Sequence, residues 1–298
     1  MHWLDMRAGN GLYVRAMHRG FVFLPLAVCL QVAGLRAQDI DAELKQSGED
    51  HMREELGVNP ITTPSIQELL NQLQNFRPIP LDLIDAAKRD AVFNNRLQTA
   101  MHFGSLVADG FLLTLAERPK DVQDVGKALI RQARALGVGE RLTKRSKSLL
   151  ELSDKGDWLG MRQELVRTQQ DVETSMLELR DEEMAHMISL GGWLRGFQLA
   201  ANSTVTLYTP NKAKILGNAE IVEYFLDRLS TLHPRLKKTA FVKTLTERLR
   251  GILNQITETQ GQILTPEQVA KVRDLANEAE AATMSKVDEE GNFEEPKP

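Results

Sequence analysis

Two apolar stretches of the chain each carry a line of polar residues at regular spacing. Within each line the residues are three and four positions apart, so on a helix they share one face. The lines are His102, Ser105 and Asp109 in the first stretch, and Arg195, Gln198 and Asn202 in the second. If both stretches are buried, Asp109 and Arg195 each need an opposite charge, and each can serve the other.

Two interpretations of these polar lines are open. We expect a buried, fully paired network that specifies how two helices fit together. The alternative is a small polar pocket in which Arg195 binds an anionic group of a ligand. All six residues of the two lines are candidate ligand-binding residues under that alternative.

Motifs for metal-dependent or nucleophilic chemistry are sparse. Glu183 and His186 have the Glu-x-x-His spacing of half a carboxylate-bridged di-metal site, but none of the other five histidines has a glutamate three residues before it. The chain has no phosphate-binding loop, no zinc-protease motif and no nucleophile elbow. We therefore predict no metal, no cofactor and no catalytic residues, and favour a protein that is not an enzyme.

Two basic clusters each open a predicted helix. They are Arg141, Lys144, Arg145 and Lys147 in the first case, and Arg235, Lys237 and Lys238 in the second. Cations at a helix N-terminus are disfavoured by about 0.3–1 kcal/mol. This cost suggests a contact with an anionic partner or with lipid headgroups, although an ordinary solvated face is the simpler interpretation.

The elements that must position these residues are helices. Aromatic residues make up only 5% of the chain, and helix-favouring residues dominate it. Proline and glycine mark the breaks between helical patterns. The predicted helices run from Leu81 to about Glu117, and at about 120–136, 140–154, 157–182, 184–205, 212–231, 237–259 and 266–284. The predicted class is all-α, a bundle of about eight to ten helices.

Small residues recur every fourth position on two of these helices. The stripes are Ala100, Gly104 and Ala108 on one helix, and Gly192, Gly196 and Ala200 on the other. An interior glycine costs about 1 kcal/mol relative to alanine, which close contact between two backbones can recover. We expect a buried central helix pair. A membrane span is the less favoured alternative, because Asp109 and Arg195 would be expensive in lipid.

The two halves of the helical region resemble each other. A Gly-Phe pair, at 110–111 and at 196–197, is followed by Pro119 and Pro210. From each proline the spacing of glycine, alanine and isoleucine repeats, at 126, 128 and 130 and again at 217, 219 and 221. Arg-Leu-x-Lys follows at 141–144 and 235–238. Either this is coincidence, or residues 97–183 and 184–284 are duplicated halves about a pseudo-twofold axis.

The N-terminal region carries the pattern of a secretory signal peptide. In residues 17–37 a basic start leads into an apolar core and then small residues, so we expect cleavage near Ala37 and a true start at Met17, with 1–16 an upstream extension. A minority alternative is lipidation at Cys29, the only cysteine. Residues 38–60 are expected to be a flexible leader, 61–284 one all-α domain, and 285–298 a disordered acidic tail.

These features predict an exported, extracytoplasmic protein that is periplasmic, envelope-associated or secreted. The net charge of −4 gives no case for nucleic-acid binding. The favoured function is a non-catalytic envelope scaffold, adaptor or module that binds an envelope or extracellular protein. The alternative is a carrier or sensor of a small polar or anionic ligand, bound between the two halves near Arg195 and Asp109.

Overall fold

The computed structural model describes residues 72–84 and 90–294. The predicted signal peptide, Cys29, the upstream extension and the leader therefore lie outside the described residues. Two short 3-10 helices, Leu73–Asn75 and Leu81–Leu83, come first. The α-helices are α1 Arg96–Leu115, α2 Pro119–Ala135, α3 Gly139–Asp154, α4 Trp158–Glu178, α5 Glu182–Thr206, α6 Pro210–Leu216, α7 Ala219–Thr231, α8 Pro234–Lys237, α9 Ala240–Thr257 and α10 Pro266–Met284.

The all-α class is confirmed. Within residues 72–84 and 90–294 there is no strand, and the only β-type pairing is an isolated bridge between Val287 and Phe293. The helix α10 has the predicted bounds because Thr265 and Gln268 form a capping box and Pro266 occupies the first turn. Among the described helices, none has both the length and the apolar character that a membrane crossing requires.

The long helix predicted from Leu81 is wrong in its first half. Residues 91–95 are not helical, and α1 begins only at Arg96. Asn95 sets this start, because its side chain accepts a hydrogen bond from the backbone of Gln98 at 3.2 Å. A capping side chain of this kind ends the extended chain and begins the helix.

Two other predicted helices are each divided in the structure. The segment predicted at 212–231 breaks at Gly217, where α6 ends, and Asn218 then caps α7 by accepting from the backbone of Glu220 at 3.1 Å. The segment predicted at 237–259 divides into α8 and α9, with Thr239 as the cap of α9. In both cases a capping side chain outweighs a continuous apolar pattern.

The helices α1 and α5 form the centre of the described region. They pack along each other, with α2 and α4 against α1, and α10 against α5. Every residue of α1 from Leu97 to Thr114 is buried, so no face of this helix meets solvent. A helix surrounded in this way needs its polar residues paired within the protein.

Glycine permits the close approach of α1 and α5, as the small-residue spacing predicts. A Cβ atom on Gly104 would lie 2.0 Å from the carbonyl oxygen of Ile188, and one on Gly191 would lie 2.0 Å from that of Met101. The predicted stripe of small residues on α5 is nevertheless only partly correct. A Cβ on Gly196 would meet Leu73 at 3.3 Å, so this glycine lies against the first 3-10 helix and not against α1.

The predicted disorder of the acidic tail is wrong for residues 285–294. Val287 is only 4% exposed, and the carbonyl of Gly291 accepts a hydrogen bond from the backbone of Phe241 at 3.0 Å. Burial of Val287 and the capping of the first turn of α9 hold this segment, which we call the C-terminal hairpin. Residues 295–298 lie outside the described chain.

Candidate functional site

Arg195 and Asp109 form a buried ion pair between the two central helices. The guanidinium Nε donates to Asp109 Oδ1 at 2.7 Å, and Nη2 donates to Oδ2 at 3.3 Å. Arg195 is 2% exposed and Asp109 is 6% exposed. Two of the three remaining N–H groups reach the side chain of Gln198, at 2.6 Å from Nη1, and the carbonyl of Leu83, at 2.7 Å from Nη2. Each guanidinium nitrogen therefore donates a hydrogen bond.

The network extends to α10, which the sequence analysis did not connect to it. Asn277 Oδ1 accepts hydrogen bonds from Gln198 Nε2 at 3.0 Å and from Asn202 Nδ2 at 2.9 Å. Glu280 Oε1 lies 3.9 Å from Arg195 Nη1. Asn277 and Glu280 are three residues apart, which is the same helical spacing that marked the other two lines. We call the following residues the Arg195 network: Asp109, Arg195, Gln198, Asn202, Asn277 and Glu280.

Four of the six predicted site residues are in this network, and two are not. Ser105 is buried, and its hydroxyl donates to the carbonyl of Gly191 at 3.3 Å, across the close contact between α1 and α5. His102 is also buried, and its ring makes an edge contact with Phe93 at 5.1 Å between ring centroids. Ser105 and His102 therefore lie in the N-terminal half of α1 and are not part of the Arg195 network.

The electrostatics of the Arg195 network keep the arginine charged. Burial opposes the charge on Arg195, but the carboxylates of Asp109 and Glu280 outweigh burial and raise the pKa of Arg195 above its ordinary value. Neither Arg195 nor Asp109 lines the cavities described below. The arrangement can therefore fix the relative position of α1, α5 and α10, whereas an anionic ligand would have to displace Asp109.

The first predicted basic cluster does not act as a unit. Arg145 donates to Asp171 at 2.8 Å and to Glu164 at 3.2 Å, so its charge is used between α3 and α4. Lys147 is exposed. Arg141 and Lys144 lie in the helix α3, but their side chains lie outside the described ones. Arg145 is therefore engaged by two carboxylates, and Glu164 also lies 3.6 Å from Arg167.

The second predicted basic cluster lies on the surface. Arg235, Lys237 and Lys238 are all exposed, within and just after the short helix α8. Lys237 Nζ donates to the carbonyl of Ser230 at 2.7 Å, which satisfies a carbonyl at the C-terminal end of α7.

Glu183, of the Glu-x-x-His pair, accepts a hydrogen bond from the backbone of His233 at 2.6 Å. Within the described residues, no group of three potential ligand side chains could hold a metal ion.

Lys212 is a buried cation that the sequence analysis missed. Its ammonium donates to the carbonyls of Arg77, at 2.6 Å, and Leu207, at 3.0 Å, and to the hydroxyl of Ser203 at 3.3 Å. No carboxylate pairs with it among the described residues, and burial lowers the pKa of Lys212. Since Leu207 follows the last turn of α5, the lysine stabilises the negative end of the helix dipole.

A second polar cluster joins α4 to α5. Glu173 Oε1 accepts hydrogen bonds from Ser189 Oγ at 2.8 Å and from Gln169 Nε2 at 3.0 Å. We call these three residues the Glu173 cluster. Burial raises the pKa of Glu173, and the bonds from Gln169 and Ser189 offset only part of this effect. The sequence offered no signal for it, because glutamate, glutamine and serine are common on solvated helix faces.

Two cavities lie away from the Arg195 network. The first, of about 60 Å³, lies beside α5; we call it the aromatic cavity, and its walls include Phe76, Trp193 and Phe197. The second, of about 780 Å³, lies between the α6–α7 junction and the loop that links α9 to α10. We call this second cavity the end groove, and its apolar lining includes Ala213, Ala219, Ile256 and Ile263.

Comparison of the chain with models of protein families, with curated proteins and with solved structures finds no match. The function must therefore be argued from the geometry of the described residues.

Proposed function

We propose that this protein is an exported, non-catalytic helical protein that acts as an envelope scaffold, an adaptor or a partner-binding module. The observation that carries the proposal is the pairing of Arg195, whose three nitrogens all donate to neighbouring groups. A central ionic group used in this way supports a structural role, because catalysis requires a group that can reach a substrate.

The end groove supports binding of a partner protein. Ile263 is 46% exposed at its edge, and the floor at Gly217 has no side chain. An open groove with an exposed apolar edge can accept an apolar segment of a partner. The partner that fits this proposal is an envelope or extracellular protein.

Photo-crosslinking in the native envelope tests this proposal. A photo-reactive amino acid in place of Ile263 should give one discrete adduct, whereas the same residue in place of Leu159, 59% exposed on α4, should give none. Gly217→Leu fills the floor, and the nearest contact of the new Cβ, 3.4 Å to the Ala213 carbonyl, is an ordinary one. This change should abolish the adduct at position 263. Equal adducts at both positions, or no effect of Gly217→Leu, would count against the end groove.

The alternative function, a carrier or sensor of a small polar or anionic ligand near Arg195 and Asp109, has less support. A ligand there must compete with Asp109, Gln198 and the Leu83 carbonyl for the same donors. Binding of a defined anion that is lost in Arg195→Ala, with the fold intact, would favour this alternative over the scaffold.

The extracytoplasmic location rests on the sequence of residues 17–37. N-terminal sequencing of the protein recovered from the envelope fraction should give a chain that begins close to residue 38. Recovery of a lipid-modified chain beginning at Cys29 would support the minority alternative, and a cytoplasmic chain that retains residues 17–37 would contradict export.

We also propose that residues 97–183 and 184–284 are duplicated halves. In support, Pro119 and Pro210 each occupy the first position of the helix that follows a central helix. The correspondence then weakens, since Gly126 lies inside α2 whereas Gly217 ends α6. Superposition of one half on the other tests the idea, and it fails unless α1 and α2 coincide with α5 and α6.

A further inference from the structure

A third cavity lies between the segment that precedes α1 and the C-terminal hairpin. We call it the hairpin cleft. Its volume is about 350 Å³, which falls within the roughly 300–1,000 Å³ of small-molecule sites. Its apolar walls include Phe93, Met284 and Val287, and Gln98 of α1 also lines it. The cleft therefore combines apolar surface with a polar side chain from a buried helix.

Gln98 has a buried acceptor atom without a partner. The residue is 0% exposed, and its Nε2 donates to the carbonyls of Thr283 and Ser285, both at 2.6 Å. These bonds fix the amide, because the reversed amide would place Oε1 against two carbonyl oxygens. Oε1 then accepts no hydrogen bond from the described part of the chain. A buried acceptor in this state costs about 1–3 kcal/mol, which a donor on a bound molecule would recover.

Two opposite charges lie on one face of the C-terminal hairpin beside this cleft. The bridge between Val287 and Phe293 sets the pairing of the hairpin. Lys286 and Glu294 are the next pair, and the backbone of Glu294 donates to the carbonyl of Lys286 at 2.9 Å. Residues opposite each other in an antiparallel pair project to the same face. Both residues are exposed and line the cleft, and neither makes an ion pair with another described residue.

The lining of the hairpin cleft discriminates between classes of ligand. Gln98 Oε1 requires a hydrogen-bond donor, which a simple carboxylate lacks. A simple cation would meet the charge of Lys286 as well as that of Glu294, whereas a molecule with one charge of each sign can pair with both. The apolar walls favour an aliphatic group on the same molecule.

We propose that the hairpin cleft binds an aliphatic α-amino acid in its zwitterionic form. The ammonium group donates to Gln98 Oε1 and pairs with Glu294, and the carboxylate pairs with Lys286. The aliphatic side chain packs against the walls at Phe93 and Met284. This site is separate from the end groove and from the Arg195 network, so it does not depend on the proposed function.

Calorimetric titration of the full chain with L-leucine tests the proposal. Three probes each lack part of the zwitterion: 4-methylpentanoate has no ammonium, 3-methylbutylamine has no carboxylate, and 3-methylbutan-1-ol has no charge. We expect saturable binding of leucine, and binding of 4-methylpentanoate that is weaker by at least about tenfold because it cannot donate. Binding of 3-methylbutylamine should be weaker by about two- to fivefold. No saturable binding of leucine, or equal binding of the alcohol, overturns the proposal.

Matched variants separate the two charges of the cleft from general electrostatics. Glu294→Gln and Lys286→Gln should each weaken leucine binding by about two- to fivefold, since both side chains are exposed. Glu290→Gln, in the same hairpin, and Lys271→Gln, on α10, remove equal charges from exposed positions outside the cleft and should leave binding unchanged. Lys286→Gln should not weaken binding of 3-methylbutylamine, which has no carboxylate. Equal effects of cleft and control variants overturn the assignment of these charges.

The role of Gln98 needs a direct measurement, because a variant at this position would also lose the bonds to Thr283 and Ser285. A crystal structure of the full chain grown with L-leucine provides it. The leucine nitrogen should lie within about 3.2 Å of Gln98 Oε1. If a water molecule occupies that position while leucine is absent or bound elsewhere, the acceptor is satisfied by solvent and the proposal fails.

Discussion

Two carboxylates of this protein, the buried Asp109 and the half-buried Glu173, have opposite kinds of partner. Asp109 has the guanidinium of Arg195 at 2.7 Å, and Glu280 lies on the far side of the same arginine. Glu173 has only the neutral donors Gln169 and Ser189. The first arrangement balances charge within the protein and fixes three helices. The second holds a half-buried carboxylate with neutral donors alone, so the two arrangements should respond differently to mutation.

The largest expected effect is the loss of the arginine. Arg195→Met leaves Asp109 buried without its cation, so we expect the free energy of unfolding to fall by about 3–5 kcal/mol. Urea unfolding followed by circular dichroism measures this change. Adding Asp109→Leu to the same chain should recover part of the loss, because one uncompensated charge is then removed. A loss below about 1 kcal/mol for Arg195→Met would remove the contrast with Glu173.

The next effect concerns the helix contact on which the ion pair depends. Gly104→Ala would place Cβ 2.0 Å from the Ile188 carbonyl, and separating two backbones costs about 1–3 kcal/mol or more. Gly196→Ala is the matched control, since its Cβ meets the flexible side chain of Leu73 at 3.3 Å. Thermal unfolding should show a clear loss for Gly104→Ala and a change within about 1 kcal/mol for Gly196→Ala. Equal losses would mean that the close approach is not specific to α1 and α5.

A smaller, pH-dependent effect is expected near the Glu173 cluster. His186 lies one turn before Ser189 on α5, and burial, aided by Arg228, lowers the pKa of His186 to about 4. Between its ordinary value of 6.5 and about 4, the unfolded chain binds the proton and the folded chain does not. Stability should therefore fall as pH decreases through this window, by about 1–2 kcal/mol for this partly exposed group. Urea unfolding of His186→Gln should show a shallower slope; an unchanged slope would exclude His186 as its source.

The smallest effect, and the one of opposite sign, is expected for Glu173. Its pKa is raised, so the folded chain holds a proton that the unfolded chain releases, and its contribution to stability is lost as pH rises from about 4.5 through the raised value. Glu173→Gln removes this dependence. At neutral pH we expect the variant to equal or slightly exceed the parent in stability, by about 0–1 kcal/mol. A large loss in urea unfolding would place Glu173 with Asp109 among the structural carboxylates.

The sequence predicted the centre of the fold better than its edges. The sequence revealed Asp109, Arg195 and the glycines of α1 and α5, because a charge or a glycine is costly in a buried helix. A charge there needs a partner, and a glycine there is favoured where two backbones approach closely. Asn277 and Glu280 were not, since α10 is half exposed and polar residues on such a helix need no partner. The start of α1 at Asn95 was missed because an apolar pattern continues past the cap.

The Glu173 cluster and the aromatic cavity could not be predicted for a different reason. They depend on which residues of α4, of α5 and of the first 3-10 helix come together, and periodicity within one helix carries no such information. Leu73 and Gly196 are more than a hundred residues apart, yet they form one wall of the cavity. Only the packing of the helices places them in contact.

The end of α10 and the C-terminal hairpin join the last described part of the chain to the start of α1. Asp288 accepts a hydrogen bond from the side chain of Asn95, and Thr283 and Ser285 accept from Gln98. The first turn of α1 is thus completed by residues that leave the ribosome nearly two hundred positions later. The start of α1 therefore depends on residues distant in sequence, and a chain shortened to residue 284 loses the bonds to Ser285 and Asp288.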